Sequence, residues 1–244
     1  MLGPVELVAE VDSTNRVVME RARAGAPAGL VLVADHQTAG RGRLGRVWEA
    51  PPGSSLLVSV LLRPDVPVDQ THLLTMAAAL AAAEACEQVA GVRPSLKWPN
   101  DLLLGDPERK LAGLLAESDV RGETAEVVVL GMGLNVNWPD EIPAGLGDVA
   151  TSLNHHTGRA VDRDELLRGW LASLDRRLGA LDKVRDEYLD RCGTIGRRVR
   201  VDRAAGALEG AAVGIDGEGA LLVEVDGRRE RIEAGDVVHV RAAD

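Results

Sequence analysis

Phenylalanine is absent from this chain, tyrosine occurs once and tryptophan four times, so aromatics make up 2% of a sequence that is 45% hydrophobic. The core must therefore be packed mainly from Leu, Val and Ala. Against that scarcity Trp48, Trp98 and Trp138, each beside a turn-like segment, are candidates for a ligand-facing role; the alternative is that each anchors a loop. Cysteine is nearly absent too: Cys86 and Cys192 are too few and too distant for a disulfide framework or a cysteine-rich metal site, which points to a reduced setting. The first residues carry Glu6, Glu10 and Asp12 where a signal peptide needs positive charge and an apolar run, and an 18-residue apolar stretch is not evident, so a cytoplasmic location without a membrane is expected. Basic residues are in deficit, 28 against 38 acidic, for a net charge of -10. That balance argues against DNA or RNA as the principal partner, because phosphate backbones demand a basic face.

At 244 residues the chain can form one large domain or a main domain with an appendage. A strand is expected over residues 5 to 11, then a helix capped by Asp12-Ser13-Thr14-Asn15 and running to Gly25. Strands at 30 to 34 and 55 to 62 come next, and Asp69 starts a Leu, Met and Ala-rich helix that reaches Ala90. Short strands at 95 to 98 and 102 to 104 flank the turn Pro99-Asn100-Asp101; two further strands are expected at 110 to 117 and 125 to 130. Helices between Asp162 and Arg191 have apolar positions at helical spacing and are expected to pack against the sheet. From Gly193 the pattern changes to short strands punctuated by Asp216-Gly217, Asp226-Gly227 and Gly235-Asp236, as in a small SH3-like β-barrel.

The segment Gly40-Arg41-Gly42-Arg43-Leu44-Gly45-Arg46 sets three glycines and three arginines into seven residues of an acidic protein. Glycine allows close approach to a ligand, and arginine supplies a fixed charge with a planar fork of donors for phosphate or carboxylate. The spacing Gly40-x-Gly42-x-x-Gly45 also matches a dinucleotide-binding fingerprint, but that motif must open a helix. Here Val47 to Gly53 bring turn residues and paired prolines before another strand. The better reading is a strand-to-strand loop able to fold over an anion, with a solvated surface loop as the alternative.

Four more segments place polar groups at strand ends or turns: Lys97-Trp98-Pro99-Asn100-Asp101, Lys110 at the head of an apolar strand, the glycine-rich turn Gly131-Met132-Gly133-Leu134-Asn135-Val136-Asn137, and Ser13-Thr14-Asn15 with Gln37. His36, His155 and His156 lack partners at metal spacing. In this order the five segments resemble the catalytic and C-terminal domains of biotin–protein ligases, from about residue 8 to the chain's end. The resemblance implies an α/β (α+β) fold: a mixed sheet flanked by helices, the class II aminoacyl-tRNA-synthetase-like biotin/lipoate ligase domain, over residues 1–192. The SH3-like β-barrel would occupy 193–244.

It also implies an activity: ATP-dependent formation of biotinyl-5′-AMP, then transfer of biotin to a lysine of a biotin carboxyl carrier domain of acetyl-CoA carboxylase or a related carboxylase. ATP is co-substrate, with Mg²⁺. Carried over residue by residue, the resemblance gives catalytic roles to Lys110, Arg41 and Arg43. Biotin contacts fall on Ser13, Thr14, Asn15, Gln37, Arg41, Gly42, Arg43, Lys110, Gly113 and Gly133, and nucleotide contacts on Arg46, Trp48, Lys97, Asn100 and Asn135. Asp101 is a candidate Mg²⁺ ligand or an ordinary turn aspartate; Lys97 contacts the anions or pairs with Asp101. Bifunctional members carry an N-terminal DNA-binding domain, whereas Ser13 already opens the first motif here, so a ligase without repressor function is expected. A lipoate or octanoate ligase and a non-catalytic biotin sensor are the rival readings, and a homodimer is open. Without ligand, residues 40 to 50 are expected to be poorly ordered and protease-sensitive.

Overall fold

The valine-bearing stretch before Asp12 forms β1 (Val5–Val11), and the extended backbone of Ser13 ends it and caps α1 (Thr14–Arg23). This computed structural model describes residues 2–142, 145–203, 206–233 and 236–239. The chain continues through β2 (Val31–Gln37), β3 (Ser55–Leu62), β4 (Val66–Pro67), α2 (Thr71–Ala85), β5 (Ser95–Lys97), β6 (Asp101–Leu104), β7 (Arg109–Arg121) and β8 (Thr124–Asn135). Helices α3 (Leu153–Thr157), α4 (Arg163–Leu178) and α5 (Leu181–Arg191) complete the larger part.

The main sheet runs β1-β2-β3-β8-β7-β6-β5, with β4 paired to β8. Only β1 and β2 are parallel, because α1 lies between them as a crossover; the other pairs are antiparallel, so the sheet is mixed. Every residue of β3 is buried, as its apolar run, broken only by Ser59 after Ser55, suits a strand covered on both faces. On one face α1 sets Val18, Met19 and Ala22 against Leu32, Leu61, Val127 and Val129. The other face carries α2.

α2 is buried almost all round, with Met76 to Ala83 each at most 3% exposed. A 3-10 turn at Val68–Gln70 precedes it and a π turn at Cys86–Ala90 succeeds it. The Val68–Ala90 segment is long and apolar enough to cross a membrane, with mean hydropathy 1.3, which corrects the expectation that no such stretch exists. Its burial, 67% of that window, makes it a core helix, walled by the sheet and α4. The alanines let α4 approach closely enough for Trp170 Nε1 to donate to Ala78 O at 3.1 Å. α4 thus packs chiefly on α2, where direct packing on the sheet was expected. Glu84 of α2 ties this pair together: burial opposes its ionisation, but Arg177, Ser173 and Arg176 overcome that and hold the carboxyl at about 2.

The C-terminal part is an antiparallel sheet of β9 (Arg198–Arg203), β10 (Gly206–Ile215), β11 (Leu221–Val225), β12 (Arg228–Ile232) and β13 (Asp236–His239), in the order β12-β11-β10-β9-β13. The turn Asp226-Gly227 has φ of 49° and 76°, the double left-handed geometry of a two-residue hairpin. Gly235 of the turn expected before β13, and Val240 of the strand end, lie outside the described residues. The buried side chains of this sheet, Val199, Val201, Ile215 and Val237 among them, are continuous with the main core.

The junction is polar at its rim. Gly193 N donates to Leu96 O at 2.8 Å, Trp98 N to Thr194 Oγ1 at 3.0 Å, and Trp98 Nε1 to Gly219 O at 2.9 Å. His239 is inserted here beside Thr194, Arg197 and Glu108. Burial, then the positive charges of Arg197 and Lys97, bring its pKa down from 6.5 to about 4, with Glu108 pulling weakly the other way. Glu108 also lies below its ordinary value: burial raises it, but Arg197 lowers it more. A histidine held neutral in the fold favours the native state fully above pH 6.5, and that contribution is lost as pH falls from there toward 4. Moving from pH 7 to 5 should therefore cost about 2 kcal/mol, or ~5 °C in Tm, from this group. Thermal unfolding of His239→Gln should lack that share of the loss; an unchanged pH slope would exclude His239 as its source.

Candidate active site

The site is built on the α1 face of strands β3, β8 and β7, beneath the segment joining β2 to β3. Alternation along the strands brings Gly113, Leu115 and Glu117 of β7 and Gly131 and Gly133 of β8 to this face, with Gly113 opposite Gly133 and Leu115 opposite Gly131. A bulge opposite Leu102 and Leu103 inserts Leu111 into β7. It sends Leu111 and Ala112 to the core and leaves both Lys110 and Gly113 facing the pocket, the re-aiming for which bulges are used.

The expected glycine-rich turn at 131 to 137 is instead the end of β8, which runs to Asn135. Its glycines are there for closeness. A Cβ on Gly131 would lie 2.1 Å from Asn15 Oδ1, and one on Gly133 2.4 Å from Trp48 Cε2. The facing pair Gly113 and Gly133 thus makes a flat patch on which the Trp48 ring rests.

One end of the pocket is neutral and hydrogen-bonding. Thr14 N and Oγ1 both donate to Gln37 Oε1, at 2.8 and 2.9 Å. Ser59 Oγ lies 2.7 Å from Thr14 Oγ1 and 2.6 Å from Asn15 Oδ1, and Asn15 Nδ2 donates to Leu115 O and to Glu117 Oε2 at 3.2 and 2.9 Å. Ser13, Thr14 and Asn15 are at most 4% exposed, so this floor is fixed by the fold.

The other end is cationic. Lys110 Nζ is 2.7 Å from Asp101 Oδ1, an ion pair out of line for a hydrogen bond, and 5.5 Å from the centroid of the Trp48 ring. Its backbone is clamped, with Lys110 N donating to Val149 O at 2.8 Å and Lys110 O accepting from Thr151 N at 2.9 Å. Arg41 NH1 pairs with Glu117 Oε1 at 2.9 Å, and Arg43 NH1 reaches Asn100 Oδ1 at 3.4 Å.

The arginine loop is a tight excursion: Gly42 N donates to Arg46 O, Trp48 N to Gly40 O, and Leu44 sits at φ 56° within the short 3-10 turn Arg43–Gly45. Leu44 and Val47 of this loop point outward, 69% and 67% exposed. Trp48 Nε1 is buried against Gly133 without a hydrogen-bond partner among the described residues.

Every residue expected from the sequence lines this pocket except Asn135. Asn135 shares by alternation the face of Gly131 and Gly133 but is 1% exposed; its amide donates to Thr151 O, with Lys110 O 3.5 Å away, which braces the lysine's strand, and its Oδ1 has no hydrogen-bond partner among the described residues. Asp101 is taken by Lys110, and among the described residues no three His, Cys, Asp or Glu gather where they could hold a metal. Trp48 and Trp98 line the pocket, whereas Trp138 is a buried anchor 3.3 Å from Ser55 Oγ. Ser59, Glu117 and Val237 were not foreseen. A serine set inside the otherwise apolar run 56 to 62 was a signal for the first; nothing marked the other two.

Known proteins resemble this chain along most of its length. The model of the biotin/lipoate A/B protein ligase family matches residues 7–135, and that of the biotin protein ligase C-terminal domain matches residues 194–240. The chain is 40% identical to the biotin--[acetyl-CoA-carboxylase] ligase of Mycobacterium tuberculosis, over 97% of its own length and 89% of that protein's. To the bifunctional ligase/repressor BirA of Bacillus subtilis it is 35% identical, over 93% of this chain and 71% of the other. A solved structure of Aquifex aeolicus biotin protein ligase in complex with biotin and ATP superposes with a TM-score of 0.81 at 30% identity, covering 98% of this chain and 99% of that one. The chain belongs to the biotin/lipoate A/B protein ligase family.

Proposed function

We propose that this protein is an ATP-dependent biotin–protein ligase, and the observation that carries the reading is the two-ended pocket. Its neutral floor of Ser13, Thr14, Asn15 and Gln37, braced from beneath by Ser59, offers donors and acceptors for an uncharged ureido ring, while Arg41, Arg43 and Lys110 gather where two anions must meet. A biotin carboxylate oxygen attacks the α-phosphate of ATP, the bond to the β-phosphate bridge breaks, and biotinyl-5′-AMP and pyrophosphate form. A lysine amine of the acceptor then attacks the acyl carbon, giving the amide and releasing AMP. Neither step needs a protein nucleophile. The buried thiols of Cys86 and Cys192 stay out of the chemistry, burial pushing Cys86 up to about 12. This chain's residues neutralise and orient: Lys110 and the two arginines offset the charge of carboxylate and phosphate, and Trp48 supplies an apolar wall. Asp101 alone does not make a metal site, so Mg²⁺ in this reading arrives with the nucleotide and no step here depends on it.

The acceptor is a biotin carboxyl carrier domain, by analogy with the acetyl-CoA-carboxylase ligase of M. tuberculosis. The flap should close over the adenylate: biotin with ATP is expected to slow proteolysis within residues 40 to 50 at least ~10-fold, and equal cleavage with and without ligands would refute closure. Labelled pyrophosphate should exchange into ATP with biotin and not with lipoate, and biotin should pass to a purified carrier domain. Exchange with lipoate alone would establish the rival activity, against which the match to a biotin protein ligase C-terminal domain already weighs.

A further inference from the structure

A carboxylate beside a site that must gather two anions works against binding unless it has another task. Glu117 is such a group, and nothing in the ligation chemistry calls for it. Its two oxygens are divided: Oε2 accepts from Asn15 Nδ2 at 2.9 Å, and Oε1 pairs with Arg41 NH1 at 2.9 Å. Asn15 is 4% exposed and locked against Leu115 O, Ser59 and the space left by Gly131. Arg41 is half exposed and belongs to the flap. One side chain thus joins a rigid point of the floor to the root of a movable segment. Arg41 is ion-paired to Glu117, and from Glu117 a string of hydrogen bonds runs through Asn15, Ser59 and Thr14 to Gln37.

We propose that Glu117 is a positioning residue that fixes Arg41 to the pocket floor, so that biotin meets an arginine already oriented; this rests on the ligase reading. Arginine suits the part because its fork has donors to spare: NH1 stays on Glu117 and the remaining N–H groups serve an incoming anion. Lysine could not divide itself this way. Glutamine at 117 can accept from Asn15 with its single oxygen, but then turns an amide NH₂ toward the guanidinium, donor against donor. Aspartate keeps the charge but is one methylene too short to span both partners.

The test is calorimetric titration of biotin into the wild type, Glu117→Gln, Glu117→Asp, Arg41→Ala and the Arg41→Ala/Glu117→Gln double variant, with steady-state pyrophosphate exchange alongside. Glu117→Gln should weaken biotin about 10-fold and raise the KM for biotin equally, with the KM for ATP within about 2-fold and kcat at saturating biotin retained. Glu117→Asp should fall between the two. In the Arg41→Ala background Glu117→Gln should change biotin affinity less than about 2-fold, because the group it acts through is gone. Full 10-fold losses in both backgrounds, or no loss in the wild-type background, would overturn the proposal while leaving the ligase reading intact. Wild-type protein that binds no biotin would overturn both.

Discussion

Replacing Lys110 with alanine should reduce biotin-dependent adenylation by at least ~10³-fold, about 4 kcal/mol of transition-state stabilisation. A carboxylate and a triphosphate repel as they approach, by about 2 to 4 kcal/mol for each pair of unit charges at 4 to 8 Å with an effective dielectric near 20. Lys110 is placed to cancel that repulsion: a bulge aims it, and backbone hydrogen bonds to Val149 and Thr151 and the brace from Asn135 hold it. Asp101 Oδ1 lies 2.7 Å from its ammonium. Because alanine at 110 leaves Asp101 uncompensated, Lys110→Ala/Asp101→Asn should be compared; it should remain inactive while relieving any loss of stability. Lys110→Arg should not rescue, since a planar fork replaces a point charge over the Trp48 ring. Pre-steady-state adenylate formation measures the step directly. Activity within 10-fold of wild type would refute the role assigned to Lys110, and undiminished biotin binding without any wild-type turnover would favour a sensor.

How much of the fold and site is legible in the sequence depends on how local each signal is. The Asp226-Gly227 hairpin and the largely apolar β3 are written in neighbouring residues, so both are readable. The loop at Gly40 is legible from its downstream neighbours, since prolines and a strand replace the helix a dinucleotide site needs. Gly131 and Gly133 suggest a turn because glycine marks both turns and close approaches, and only the sheet reveals that Asn15 and Trp48 occupy the missing Cβ positions. Asn135 is a nucleotide contact by resemblance alone; that its amide also braces the Lys110 and Thr151 backbone is written in no neighbouring residue. Glu117 carries no local signal at all: its partners are 102 and 76 positions away, and an acidic residue near a strand end reads as solvated. The long α2 segment shows the converse, where local composition suits a membrane span and only tertiary burial makes it a core helix.

Gly131→Ala should nearly abolish biotin binding, a loss of at least ~100-fold, while leaving the fold close to its original stability. The backbone at 131 is ordinary strand, since Gly131 is not among the residues with positive φ, so alanine costs nothing in conformation and removes glycine's entropy penalty. The added methyl would nevertheless stand 2.1 Å from Asn15 Oδ1 and 2.8 Å from Asn15 Cγ. Asn15 cannot simply turn aside, because its amide is held by Leu115 O and Glu117 and its carbonyl by Ser59. Displacing it breaks the string that orders the floor at one end and Arg41 at the other. Stability should change by no more than ~1 kcal/mol, as the bonds lost are partly replaced by water at the pocket and the strand backbone is kept. Asn15→Ala alone should weaken biotin by a comparable factor, and adding Gly131→Ala to it should bring little further loss, because the space is then vacant. Calorimetry and thermal unfolding on the four proteins decide the matter: additive losses in binding would mean that the methyl acts on the pocket by another route, and a fall of more than ~10 °C in Tm would mean that Gly131 is required by the sheet and not by the site.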